Sequence, residues 1–224
     1  METHPSYNGF DENISIKGEK LKGGFLPGST RVIVMGTFPP PDVMKNYQSK
    51  SIESFFYYNS PKNHFWNRIE SFIPMNGERW KYTSKSKESI EVNIIRKKAL
   101  CESMGLGFMD YFSKIERKKP DSYKDDDLID KENVIENGFF INAITALPKL
   151  KRICCVYQTS YNQLTQNLDS HLTKQREVHA ANGIRQIYFS KISLREIEIV
   201  LLFPATRSGE KKEKKNEQYK YFLN

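Results

Sequence analysis

Cysteine is scarce in this chain: Cys101, Cys154 and Cys155 are the three among 224 residues. An odd count without paired spacing excludes a disulfide framework and a four-thiolate iron–sulfur cluster. Cys154 and Cys155 lie in the apolar run from Ile153 to Val156 and read as small buried hydrophobes. No apolar run reaches membrane-spanning length. The start METHPSYNGF has neither a basic n-region nor an apolar h-region. The expectation is therefore a cytoplasmic protein with no membrane association. Neither a P-loop nor a G-x-G-x-x-G run occurs. His4, His64, His171 and His179 fall in no H-x-E or H-E-x-x-H pattern, which removes zinc deaminases and metalloproteases as readings. No metal and no cofactor is expected.

What is present suits one large domain with a sizeable core. Hydrophobic residues make up 38% and charged residues 28%, the balance of a globular rather than a disordered chain. The formal net charge is +8, which points towards a polyanion and most simply nucleic acid. The plain alternative is lysine used for solubility.

Residues 1–29 are Gly-rich and polar, and read as an N-terminal arm with little regular structure; residues 30–224 read as a single domain. The unbroken run Val32-Ile33-Val34-Met35 predicts a central strand at about 31–36, covered on both faces. The chain after it reads as loop up to a helix from Asn63 or His64 to Phe72, and 74–86 as loop again. A helix over 87–103 and a short strand over 105–110, ending in an acid, come next. KIERKKPDSYKDDD reads as a charged surface loop. Helices are predicted at 126–136 and 138–147, a second core strand at 152–156, and a helix from Tyr161 to Thr173. Strands over 184–189 and 196–203 and a Lys-rich final helix, with Tyr219 and Phe222 for docking, complete the pattern. Strands alternating with helices predict a three-layer α/β/α sandwich with a mostly parallel central sheet.

In such sheets ligands sit beyond the carboxyl ends of the strands. The segment from Thr37 onward is therefore where a site belongs. It offers aromatic faces, prolines and carboxamides, an inventory that suits gripping a flat heterocycle. Phe38 follows a strand end and can stack on a base, with Tyr57 and Tyr58 bounding the far side, although loop aromatics more often pack as core lids. Pro39-Pro40-Pro41 fixes φ and removes three donors, which leaves the Thr37 and Phe38 N–H groups as oxyanion-type donors. Asn63, directly before a helix, is a good N-cap, and on local sequence that bland role is favoured. Asp110 closes a strand and fits a structural cap. Asp125-Asp126-Asp127 reads as a solvated charge run more readily than as a cation site. After Phe203-Pro204-Ala205, a polar turn holding Thr206, Arg207 and Ser208 could clamp phosphates, or could be an ordinary strand-to-helix turn.

Taken together these segments resemble the uracil-DNA glycosylase superfamily, most closely its hypoxanthine/deoxyinosine DNA glycosylase branch. Gly36-Thr37-Phe38-Pro39 is similar to the Gly-Ser-x-Pro loop after the first core strand. Tyr57-Tyr58-Asn59-Ser60-Pro61-Lys62-Asn63-His64-Phe65-Trp66 matches Tyr-Tyr-x-x-Pro-x-Asn-x-Phe-Trp position for position. The segment Gly105–Asp110 and the loop Phe203–Ser208 resemble the third and last family segments, in the family's order. Pro40 departs from the family's small residue, and Ala205 and Arg207 interrupt its Ser-rich loop. The resemblance implies a monofunctional, metal-free glycosylase that flips a deaminated base, uracil or hypoxanthine, out of DNA and hydrolyses its N-glycosidic bond. It implies a monomer whose partner is DNA with a damaged or mismatched base. Asn63 would place the water and Thr37 would serve catalysis. Gly36, Phe38, Pro39, Tyr57, Tyr58 and Phe65 would bind the base, and Lys62, Thr206, Arg207, Ser208 and Lys211 would meet DNA. The rival readings are a catalytically silent, basic nucleic-acid-binding protein on the same fold, and a metal-dependent nuclease using Asp110 and Asp125–Asp127.

Overall fold

The protein is described from a computed structural model. It describes residues 1–8, 14–16, 19–21, 23–49, 56–58, 64–73, 87–168, 172–180, 183–190, 193–205 and 211–224. The first strands are β1 (Glu2–Thr3), β2 (Ile14–Ile16), β3 (Glu19–Leu21), β4 (Gly24–Phe25) and β5 (Val32–Gly36). Helices α1 (Pro41–Ser49), α2 (Phe65–Glu70) and α3 (Lys87–Met104) follow. Next come β6 (Leu106–Asp110), β7 (Phe112–Arg117), β8 (Leu128–Asn133), α4 (Phe139–Ala146), β9 (Arg152–Cys155) and α5 (Gln158–Gln166). The chain closes with β10 (Leu172–Ala180), β11 (Gly183–Ser190), β12 (Arg195–Leu201) and α6 (Lys212–Leu223).

Seven strands form the main sheet in the order β10-β11-β12-β9-β5-β6-β4. The fold is mixed α/β, and the expectation of a mostly parallel sheet is corrected. The junctions β12–β9, β9–β5 and β5–β6 are parallel, while β10–β11, β11–β12 and β4–β6 are antiparallel. The connections explain the difference. Two residues join β10 to β11 and four join β11 to β12, far short of the dozen or so a parallel crossover needs.

Side chains of β5 alternate between two apolar clusters, as the pleat dictates. Val32 and Val34 pack with Phe65 and Trp66 of α2, Cys101 of α3 and Phe222 of α6. Ile33 and Met35 pack on the other face with Phe140 and Ile144 of α4 and Leu164 of α5. All four are essentially sealed from solvent, and such burial stabilises by about 1.5–3 kcal/mol per large apolar side chain. The three cysteines are buried and Tyr219 and Phe222 dock α6, as the sequence implies. Among the described residues no helix is long and apolar enough to cross a membrane.

Several elements differ from the sequence reading. The N-terminal arm is not loosely packed where it is described: β1 pairs with β7, His4 and Ser6 are fully buried, and β4 edges the main sheet. Helix α1 begins at Pro41, in a segment that reads as loop. Proline at a first helical position followed by Asp42 is the signal there, since both suit an N-terminal turn. Strand β7 takes the first part of the charged segment. The helix expected at 126–136 is instead a single turn at Asp125–Asp127 followed by β8. Pairing in the small sheet β1-β7-β8 overrides a local pattern with no strong periodicity. Helix α5 stops at Gln166, and the chain beyond Leu172 joins β10, an exposed strand with a bulge between Lys174 and Arg176. The predicted 74–86 loop lies outside the described residues.

Candidate functional site

A cavity of about 270 Å³ opens at the carboxyl ends of β5 and β6. Gly36, Thr37, Phe38, Pro39, Tyr57 and Tyr58 all line it, so six of the residues singled out from sequence meet there. His64, Asp110, Arg117, Asp125, Tyr157 and Ala205 also contribute.

The last residue of β5 has to be glycine for want of space. A Cβ on Gly36 would stand 2.2 Å from Asp110 Oδ1 and 2.7 Å from the Tyr58 hydroxyl. Gly36 and Thr37 are held by the junction of β6 and β7: Tyr111 N–H donates to Gly36 C=O and Phe112 N–H to Thr37 C=O. With the carbonyls fixed, the Thr37 and Phe38 amides donate to no backbone carbonyl among the described residues. Thr37 is buried and its hydroxyl donates to Asp125 Oδ2 at 2.9 Å. Arg117 ties β7 to this loop, donating from Nη2 to Pro39 C=O at 2.7 Å and from Nε to Glu2 at 2.8 Å. Its guanidinium lies 5.7 Å from the centre of the Phe38 ring, whose edge meets His4.

The two tyrosines are set differently. Tyr57 is buried; its ring stacks on His4 and on Phe108, and its hydroxyl bonds Ser6 Oγ at 2.7 Å. Trp66 Nε1 donates to the Tyr57 carbonyl and pins the segment to α2. Tyr58 has φ +54°, a left-handed conformation that is unusual for a bulky side chain. Its ring stacks on Phe65 at 4.6 Å, and its hydroxyl is sealed without a hydrogen-bond partner among the described residues. Burial, and then the nearby Asp110 charge, hold that phenol well above the ordinary tyrosine range. Phe65 is itself fully buried in the core behind Tyr58 and does not line the cavity.

Two carboxylates enter the pocket. Asp110 Oδ2 accepts from His4 Nε2 at 2.9 Å across 106 positions of sequence. The Ser6 N–H donates to His4 Nδ1 at 3.2 Å, which leaves Nε2 as the ring nitrogen that donates to the carboxylate. Asp125 is pushed up from the ordinary carboxylate range by burial. Hydrogen bonds from Thr37 and Thr159 pull the other way, and the charges of Asp110 and Asp126 add to the rise. The acid run is thus not uniformly solvated: Asp126 is exposed, while Asp127 accepts from Ser122 Oγ and is lowered chiefly by that bond. Among the described residues no three or more His, Cys, Asp and Glu side chains gather as a metal-binding group.

Asn63, Lys62, Thr206, Arg207 and Ser208 lie outside the described residues. Lys211 is exposed immediately before α6. Sequence reasoning did not place His4, Arg117 or Tyr157 in the site. Tyr157 had a signal, since it follows the apolar strand β9 at the same end as Gly36. Arg117 lies in a charged segment that reads as a surface loop, and His4 had no signal, because its carboxylate partner is remote in sequence.

No protein-family model matches the chain, and no curated protein does. Among solved structures it is similar to the solution NMR structure of a candidate uracil DNA glycosylase from Methanosarcina acetivorans. The identity is 15%, covering 89% of this chain and 93% of that one, with a TM-score of 0.47.

Proposed function

We propose that this protein is a monofunctional DNA base glycosylase that removes a deaminated base, uracil or hypoxanthine, on a three-layer α/β/α fold of the uracil-DNA glycosylase kind. In this reading it works as a cytoplasmic monomer on DNA, without a cofactor. The observation that carries it is the pocket itself: aromatic rings of Phe38, Tyr57, Tyr58 and Tyr157 around two backbone amides at the end of a central strand. Such a slot takes one flipped heterocycle, and the amides of Thr37 and Phe38 face charge that grows on the departing base.

The reaction needs no strong base. The C1′–N bond breaks, its electron pair leaves with the base, and positive charge spreads over the sugar. A water oxygen, placed by Asn63, then bonds C1′, and the proton it sheds balances the charge of the departing base. The net charge of +8 supplies salt-sensitive attraction to the phosphates.

The test is a panel of labelled duplexes and single strands bearing uracil, hypoxanthine or xanthine, incubated with and without EDTA and then treated with hot alkali. Alkali-dependent cleavage at one modified base, lost in Asn63→Ala, is the expected result. Salt-sensitive binding without cleavage would leave the silent binding protein in front. Cleavage that EDTA abolishes would favour the nuclease.

A further inference from the structure

Two polar atoms of residues that line the pocket converge beside Gly36 without being used by the fold. The Tyr58 hydroxyl is sealed and has no hydrogen-bond partner among the described residues. Asp110 gives Oδ2 to His4, while its Oδ1 accepts no described hydrogen bond. Both free atoms lie within 2.7 Å of one point, where a side chain on Gly36 would start. One is a donor and the other an acceptor, carried by two residues that line the aromatic slot, and a base edge reaches both once the Tyr58 ring shifts enough to uncover its hydroxyl.

Deamination converts the amidine edge of adenine or cytosine into a lactam, with a ring N–H beside a carbonyl. That edge is the complement of the pair. A carboxylate oxygen takes the acidic ring N–H in a charge-assisted bond, and a phenol donates to the carbonyl. The carboxylate can serve only if its rotation is fixed. His4 does this: Ser6 N–H holds Nδ1 at 3.2 Å, and Tyr57 and Phe38 pack against the ring at 5.7 and 5.6 Å. Pairing of β1 with β7 then delivers Nε2 to Asp110.

We propose that Asp110 and Tyr58 read the lactam edge of the base, and that His4 is the positioning residue that turns the carboxylate to do so. The idea rests on the glycosylase reading for the base and its orientation, but its recognition step can be measured without turnover.

The experiment titrates free hypoxanthine and uracil into the full chain by protein NMR. Adenine, cytosine, 1-methylhypoxanthine and 3-methyluracil are the controls, and single-turnover excision from oligonucleotides runs in parallel. Wild type is compared with Tyr58→Phe, His4→Leu and His4→Gln, the last chosen because glutamine can return a donor near the Nε2 position. Each variant is first checked for fold by circular dichroism and thermal melting. Wild type is expected to prefer the unmethylated lactams over both sets of controls by about ten- to hundredfold, the worth of a hydrogen bond to a charged group. Tyr58→Phe and His4→Leu should lose that preference, and His4→Gln should regain it to within a few-fold.

A folded His4→Leu or Tyr58→Phe that discriminates like wild type overturns the proposal, and so does wild type accepting the methylated bases equally. If His4→Leu fails to fold, Tyr58→Phe and the methylated bases still decide the matter. Lactam binding in the expected pattern without any excision would retain the proposal and sink the glycosylase reading. Excision untouched by these variants would do the reverse. Neither binding nor excision would sink both.

Discussion

At the amino ends of the central strands, arginines close the C-termini of helices. Arg31, just before β5, donates to Met104 C=O at the end of α3 at 2.8 Å. Arg152, opening β9, donates to Phe222 C=O in the last turn of α6 at 2.9 Å and pairs with Glu198. Arg195, opening β12, reaches the carbonyls of Ile144, Leu147 and Pro148 around the end of α4. Each cation meets orphan carbonyls at the negative end of a helix dipole, where it stabilises most. The carboxyl ends of β5 and β6 look the other way. There the phenol of Tyr58, a residue at positive φ, is buried without a partner among the described residues, and the Asp125 carboxyl is pushed up by burial. The same strands thus carry one end knitted by arginine–carbonyl bonds, where Arg195 Nε alone of that guanidinium is left over, and one end where polar groups surround a cavity. Of the buried side-chain atoms without a partner among the described residues, the Tyr58 hydroxyl is the one whose residue lines the cavity, where a ligand can complete it.

The sharpest way to break the comparison is Gly36→Ala. Its Cβ would collide with Asp110 and Tyr58, so overpacking should cost about 1–3 kcal/mol. Excision should fall by about a hundredfold or more, since the oxyanion-type donors follow directly. A variant that melts and excises like wild type would show that the two groups yield easily. Arg195→Ala should act in the opposite sense. Loss of its carbonyl contacts should cost about 2 kcal/mol, read as a fall in Tm of about 4–8 °C, while the excision rate of the folded fraction is unchanged. A large loss of rate with normal melting would mean that the amino end is not merely structural.

The smallest expected effect sharpens the contrast through pH. The folded-state pKa of Asp125 is raised above its unfolded value, so ionisation costs the folded chain more than the unfolded one. Its contribution to stability is fully present below the ordinary carboxylate range and is lost as pH rises through the raised value. Asp125→Asn keeps an acceptor for Thr37 and cannot ionise. It should match wild type in Tm near pH 3 and melt slightly higher at pH 7. Equal melting at both values would show that the Asp125 carboxyl is not disfavoured by burial.

How far the sequence could be read follows from where each element finds its partners. Strand β5 was legible because Val32 to Met35 is apolar on both faces, and α3, α4 and α6 because their lengths and apolar positions are locally helical. Strands β8 and β10 were not, since their mostly exposed polar residues give no alternation, and neither was β7, whose buried Phe112, Ser113 and Ile115 are not in strict alternation; pairing defines all three. Asn182-Gly183 was a usable hairpin signal that would have separated β10 from β11. In the pocket, Gly36 to Pro39 and the two tyrosines could be read because strand-end loops have predictable chemistry. His4 could not, since a contact across 106 positions leaves no trace in a local window.

The bulge in β10 bears on something other than the pocket. A sheet that is not closed leaves two edges, and an open edge is a template on which a second chain can add a strand. One edge here is β4, only two residues long. The other is β10, nine residues long, where the bulge falls among Lys174, Gln175, Arg176 and Glu177, all exposed. Shortness guards the first edge, and charge with broken register guards the second, so the molecule resists stacking edge to edge into aggregates.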